Sequence, residues 1–287
     1  MYSISAISLI FAVFSMLGYG VVDLISFLLA RQADPRTVPL WTTALSIVFI
    51  GIGAFFIKFP GITTGSFLLL IFASVIGVAG ILSYYRGLNK GRIAVVVPIA
   101  NLWPLVSVIL SIAILGEAIS SVQLYGIALA MLGILLVSFK LKDLLSLNFR
   151  KAAMGAEYAL ATMLCWGIFY TSLGFLSKSM GFFWPTLLAQ VLVGVGILIY
   201  LLLKRSDLTF PRQASSKLVL FAIILSVSEL CYMVSTGSGY VTLTAPITGA
   251  APVITVLLGV VLLKNKVGKN QMLGVILIVA GIALISI

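Results

Sequence analysis

Apolar stretches of about twenty residues recur along this chain from end to end, separated by short polar breaks. At 1.5 Å of rise per residue, about twenty helical residues cross roughly 30 Å of hydrocarbon. A core helix of a soluble domain is shorter and keeps one polar face. The runs predict ten spans, at 7–30, 38–57, 66–85, 93–114, 121–139, 154–178, 183–203, 216–236, 241–263 and 269–286. Composition agrees, with 62% apolar and 9% charged residues, where a soluble domain carries about a quarter charged. The fold class expected is an all-α integral membrane protein of ten transmembrane helices, with the lipid bilayer as its solvent.

The same residues exclude several functions. The net charge is +11, but the cations lie between apolar runs and form no basic surface with interleaved aromatics, so nucleic acid is not an expected partner. The chain has no histidine, which removes His-based metal sites, catalysis and pH sensing. Cys165 and Cys231 sit inside apolar runs and read as small packing residues. Met1 to Ile10 carries no Lys or Arg and reads as the start of the first span, not as a signal peptide. No phosphate-cradling glycine loop occurs, so neither ATP drive nor a cofactor is expected.

The chain repeats itself at an offset of 148 residues. Residues 91–139 match 239–287 without a gap at 14 of 49 positions. The matches align Gly91 with Gly239, Pro98 with Pro246, Pro104 with Pro252, Gln123 with Gln271, Gly126 with Gly274 and Gly133 with Gly281. Upstream, Tyr84 meets Tyr232. Apolar bias can align Leu and Ile, but not these residues at one offset. Residues 1–140 and 154–287 thus read as two five-span repeats joined by a cytoplasmic linker, 141–153. Five spans is an odd number, so the second repeat should lie inverted in the membrane, a recurring plan in secondary transporters.

Charge placement agrees with ten alternating spans. Of the 18 Lys and Arg residues, 16 fall in loops 1, 3, 5, 7 and 9; Lys58 and Lys178 are the exceptions. Cytoplasmic loops collect cations, so both termini should be extracytoplasmic. Loop 4 reads Gly116-Glu117, whereas its repeat partner, loop 9, reads Lys264-Asn265-Lys266, the opposite charge character that inversion requires.

Two five-span repeats, each with a Pro-x5-Pro span followed by a Gly-x6-Gly span, resemble EamA-type members of the drug/metabolite transporter superfamily. Gly116-Glu117 leading into Gln123 and Gly126 looks like that family's short loop between its fourth and fifth spans. Loop 9 departs from the pattern with Lys264-Asn265. Span 1 has Gly18-Tyr19-Gly20 where such proteins often show Trp-Gly, which span 6 keeps as Trp166-Gly167. The resemblance implies a plasma-membrane carrier that exports amino acids, drugs or other metabolites, and it leaves the substrate open. Many relatives have cytoplasmic termini, whereas the charges here put them outside.

The candidate site follows from the cost of polarity in hydrocarbon. Pro98, Pro104, Pro246 and Pro252 remove backbone donors inside spans, and interrupted spans at matching places point to a transport site. Their expected part is to shape helices. A carboxylate at depth costs about 3 kcal/mol on insertion scales. Glu229 and Asp23 are the two that lie well inside spans, and each could bind a proton or a substrate amino group. Asn101 sits between two prolines; Thr244 and Thr248 share a face of span 9; Gln190 is a polar group on span 7. Tyr19, Tyr84, Trp103, Trp166, Tyr170 and Tyr232 lie within spans, not at their ends, and their polar atoms need partners. Together these residues predict a substrate cavity lined by spans 1, 3, 4, 6, 8 and 9. An intramembrane enzyme acting on lipid would need a catalytic cluster that the sequence does not offer, and a channel or scaffold is the third reading. Small-residue faces on spans 5 and 10 (Gly126, Ala130, Gly133; Gly274, Gly281) should bring those spans together.

Overall fold

The computed structural model describes residues 4–29, 32, 34, 37–90, 93–138, 155–263 and 267–287. Among them the chain is helical, with no strand. The helices are α1 (Ala6–Leu29), α2 (Val38–Gly51, continued by a 3-10 turn at Ile52–Phe55), α3 (Thr64–Lys90), α4 (Ile93–Ala100), α5 (Trp103–Ala113) and α6 (Ser121–Ser138). After the linker come α7 (Ala156–Met180), α8 (Phe183–Leu203), α9 (Ser215–Gly237), α10 (Val241–Thr248), α11 (Pro252–Leu263) and α12 (Lys269–Ile285). Nine helical segments among the described residues, counting α4–α5 and α10–α11 as one each, are long and apolar enough to cross a membrane; α12 is apolar but shorter. The predicted linker 141–153 and the cations Arg31, Arg36, Arg92, Lys264 and Lys266 lie outside the described residues. Span 3 is longer than predicted: α3 runs on to Lys90, so Arg86 and Lys90 are helical and not part of a loop.

The molecule wears its apolar side chains outward. Phe55, Phe56 and Leu203 are among the most exposed large residues, while Ser8, Ser15, Ser107, Ser111 and Thr162 are wholly buried. Lipid tails are as apolar as a leucine core, so helices in a bilayer gain from close approach and interhelical hydrogen bonds. Gly167 lets α7 approach α5: an added Cβ there would lie 2.4 Å from Val106 Cβ. Gly20 does the same for α1 against α11, at 2.4 Å from Ile254 Cβ. Ser107 donates to the Gly167 carbonyl and Thr255 to the Gly20 carbonyl, across the same two seams.

Helix pairs recur in matched sets. α1 packs on α9 as α7 packs on α3; α2 packs on α9 as α8 packs on α3; α1 meets α11 as α7 meets α5. α6 and α12 pack antiparallel on each other, as the glycine faces predict. A Cβ at Gly126 would sit 2.8 Å from the Gly281 carbonyl oxygen, and one at Gly133 would sit 2.7 Å from that of Gly274.

Contacts between chain ends define two faces. On one, Arg86 bonds Tyr200, Lys90 bonds Tyr158 and Lys217 bonds Gln32. This basic face carries the end of α3 and the described parts of loops 1 and 7. On the opposite face Ser8 bonds Ser235, Trp184 bonds the Lys58 carbonyl and Lys178 pairs with Glu117.

Candidate functional site

The two proline-bearing spans break at the same place. α4 ends at Ala100 and α10 at Thr248, 148 residues apart. The hydrogen bonds through the breaks also match at that offset. Asn101 N–H donates to Val97 as Gly249 does to Ala245, at 3.0 and 2.8 Å. Leu102 donates to Ile99 as Ala250 does to Ile247, both at 3.1 Å. Leu105 donates to Leu102 as Val253 does to Ala250. Each break is a tightening of the helix to i→i−3 bonds, set by a proline inside the first half and another in the first turn of the second. Backbone freed of its ladder at membrane depth is tolerated where it meets protein or a cavity.

Beside the breaks lies a cavity of about 150 Å³. Ten of the twelve residues predicted to bind substrate line it: Tyr19, Asp23, Tyr84, Asn101, Trp103, Trp166, Tyr170, Gln190, Glu229 and Thr248. Tyr232 lies outside this wall; it lines a small recess of about 10 Å³ behind Glu229, shared with Tyr170 and Gln190. Thr244 lines neither: it is wholly buried, and its hydroxyl turns back to the Val241 carbonyl of its own helix. None of the four prolines lines the cavity. The predicted wall of spans 1, 3, 4, 6, 8 and 9 is incomplete. α2 adds Pro39, Thr42 and Thr43, and α8 adds Gln190 and Val193. Both helices pack across the α3–α9 side of the bundle and close the chamber there.

Glu229 is buried, and the Gln190 side-chain amide donates to it. Asn101 presents its amide to the Asp23 carboxyl. Among the described residues no cation lines the cavity, and the ion pair found is elsewhere, between Lys178 and Glu117. Asp23 lies six residues from the basic-face end of α1 and Glu229 fourteen from that of α9. Glu229 is therefore roughly 12 Å deeper. Aromatic rings fill the space around the two acids. Tyr170 packs on Trp103 (ring centroids 4.7 Å), on Tyr232 (5.3 Å) and on Phe169 (5.2 Å). Its hydroxyl accepts from Tyr19 at 3.3 Å, and Tyr84 stacks at 5.0 Å on Trp166. Carboxylates without cations, faced by electron-rich rings, can hold a proton or an amine, the latter by charge and by cation–π attraction.

The chamber is one-sided. From Glu229 its wall continues toward the basic face through Ser26, Thr42, Thr43, Tyr84, Tyr85, Phe221 and Leu225. A second recess of about 330 Å³ at that rim is lined by Tyr85, Arg86, Asn89, Tyr200 and Lys204. Toward the opposite face the same depth is packed solid by Leu70, Ala73, Leu173, Leu176, Met180 and Met233, all buried.

Sequence reasoning passed over Ser26, Thr42, Thr43, Tyr85 and Phe169 as wall residues. The Thr42-Thr43 pair inside span 2 was a legible polar signal, whereas nothing marks Phe169 apart from other span aromatics. It also read Glu117 only as part of a loop motif. Glu117 is in fact buried and holds the start of α10 through its backbone.

Comparisons with known proteins complete the picture. A stretch of 68 residues is 40% identical to an uncharacterized protein of Methanocaldococcus jannaschii, covering 24% of this chain and 50% of that one. The match thus spans about half the length of that relative. A solved crystal structure superposes with a TM-score of 0.78 at 17% identity, covering 96% of this chain and 95% of that one, which shows a shared fold. The EamA-like transporter family model matches residues 6–139 and 153–287, one stretch for each repeat. On that match the chain belongs to the EamA-like transporter family, a family of membrane transporters.

Proposed function

We propose that the chain is a secondary transporter that exports small metabolites such as amino acids across the cell membrane by alternating access around the central cavity. The observation that carries this reading is the cavity itself. It lies where two equivalent spans break, it holds two carboxylates with no cation among the described residues of its wall, and it is walled by aromatic rings. A substrate amino group would be drawn to Glu229 or Asp23, and a proton would compete for the same oxygens. Such competition is one physical way to couple substrate to a proton gradient.

The ten-span, inverted-repeat plan is part of the same reading. Its support is the exchange of helix pairs between halves and the antiparallel α6–α12 seam, in which Gly126 faces Gly281 and Gly133 faces Gly274. A two-fold axis in the membrane plane maps each of those contacts onto the other. The basic face would be cytoplasmic and both termini extracytoplasmic, so the cavity as it stands opens inward.

Purified protein in proteoliposomes tests the function. A panel of labelled amino acids and other amines is offered with and without unlabelled compound inside. Saturable uptake that counterflow accelerates is expected for at least one amine. Non-saturating flux would mark a channel, and no flux with any amine under either gradient would remove this reading.

A further inference from the structure

Glu117 does more than turn a loop. Gly116 takes φ +66°, a conformation in which a Cβ is strained, and so tucks the next residue under the bundle. The Glu117 carboxylate is buried and receives four hydrogen bonds. Lys178 donates to Oε1 at 2.7 Å and Val241 N–H to the same oxygen at 3.1 Å. Thr242 donates to Oε2 twice, from its N–H at 2.8 Å and its hydroxyl at 2.7 Å. One carboxylate thus ties loop 4 to the end of α7 and to the first backbone N–H groups of α10. An anion is well placed there, because a helix start presents unpaired donors and the positive end of its dipole. α10 leads directly to Thr248 and Gly249 on the cavity wall.

The sequence of the other repeat lacks the carboxylate at the centre of this tie. At the offset of 148, Glu117 corresponds to Asn265 and Thr242 to Ala94; Lys178, on the span pair whose seam glycines Gly20 and Gly167 lie 147 apart, corresponds to Arg31. The carboxylate and the hydroxyl that make the tie are replaced in the other repeat's sequence by an amide and a methyl group, while the cation is kept. The cavity is packed shut on the face that has the tie and opens toward the opposite, basic face.

We propose that Glu117 is a positioning residue, a latch built into one repeat only, which holds α10 against α7 and biases the resting transporter toward the state open at the basic face. Resting on the alternating-access reading, this deepens it by naming what sets the balance between the two states. Removing the latch shifts that balance, because a tie made in one state and broken in the other stabilises only the first.

The test reads accessibility and needs no substrate. In a background with Cys165→Ser and Cys231→Ser, two reporter cysteines are placed singly. Met233→Cys lies in the packed wall, at the position equivalent to Tyr85 in the open vestibule. Ser26→Cys lies in the open part and reports that the chamber is intact. A membrane-impermeant maleimide is applied from each side. With Glu117 in place, Met233→Cys should label slowly from the opposite face. Glu117→Gln should speed that labelling roughly tenfold, the effect of about 1.4 kcal/mol on the balance, and slow Ser26→Cys labelling from the basic face. Glu117→Asp, which keeps the charge, should partly restore the slow rate. Unchanged Met233→Cys labelling in a folded Glu117→Gln protein would overturn the latch. Should that variant fail to insert, Lys178→Gln, which removes the ion pair alone, decides on the same readout. Intact counterflow with unchanged labelling would discard the latch and leave the carrier; altered labelling without counterflow for any amine would do the reverse.

Discussion

Tyr84 and Tyr232 hold the same position in the two repeats, yet one lines the open cavity and the other is sealed in its packed side. Tyr84 faces the chamber against Trp166. Tyr232 is wholly buried between Trp103 and Tyr170, and its hydroxyl has no hydrogen-bond partner among the described residues. A buried hydroxyl without a partner costs about 1–3 kcal/mol. Under the rocking reading the two tyrosines exchange places once per cycle.

The two carboxylates should not be equivalent. Glu229 sits at the deep end of the chamber, bonded by Gln190. Glu229→Gln keeps shape and removes charge, so transport should fall by roughly a hundredfold or more, with KM and maximal rate both affected. Asp23→Asn, nearer the vestibule, should cost about tenfold. Counterflow in proteoliposomes checks both, with yield and monodispersity in detergent as the fold control. Equal transport in Glu229→Gln and the parent would make that acid structural.

The α6–α12 seam makes a prediction about stability alone. At Gly133 a Cβ would meet the Gly274 carbonyl oxygen at 2.7 Å and the Ile278 amide nitrogen at 2.9 Å. Backbone atoms of a packed helix cannot step aside, so Gly133→Ala should destabilise by about 1–3 kcal/mol. Gly65→Ala, where nothing lies within 4 Å, is the control and should be neutral or slightly stabilising. Thermal unfolding in detergent compares them. A Gly133→Ala melting point equal to that of Gly65→Ala would mean the seam is looser than described.

Most of the fold was legible because membrane spans announce themselves by length and polarity, and because two repeats carry the same prolines and glycines. The seam glycines were readable for that reason. Site residues were legible wherever polarity was out of place, as with Asp23, Asn101, Gln190 and Glu229. Tyr232 and Thr244 were read as wall residues on the same ground, and neither lines the main chamber. Polarity marks a residue as needing a partner but does not say which partner it finds: Thr244 bonds its own helix. Glu117 was hidden by the opposite error. A carboxylate in a loop looks solvated, and only tertiary structure reveals that a distant helix begins on top of it.

Orientation is the prediction with the most direct readout. If the charge bias sets topology, the loop after α8, which holds Lys204, Arg205 and Arg212, lies in the cytoplasm. A single cysteine at Ser206, in the cysteine-free background, should then resist impermeant maleimide in intact cells and react after permeabilisation. A cysteine at Ser120, in the loop before α6, should react in intact cells. Reaction at Ser206 before permeabilisation would invert the molecule and make the cavity outward-facing.

The last prediction concerns the asymmetry between the two breaks. Asn101 and Gly249 are repeat equivalents, so Gly249→Asn would restore the symmetry that the sequence lacks. The structure says why it is lacking. A Cβ at Gly249 would stand 2.1 Å from Pro104 Cγ and 3.1 Å from the Ala245 carbonyl oxygen. Pro104 is a rigid ring in the first turn of α5, held by the same break that frees the backbone beside it. The glycine is therefore where the two broken spans cross, and there is no room for a second amide. Any side chain at 249 must separate α10 from α5, which moves Thr248 and Trp103, two wall residues, with it. Gly249→Asn and Gly249→Ala should both lose transport by at least roughly tenfold, the alanine by shape alone. Pairing either with Pro104→Ala, which trims the ring, should recover part of the loss. A double-mutant cycle on counterflow rates measures the coupling between the two positions. Purely additive losses would show that the crossing of the broken spans is not what the glycine protects.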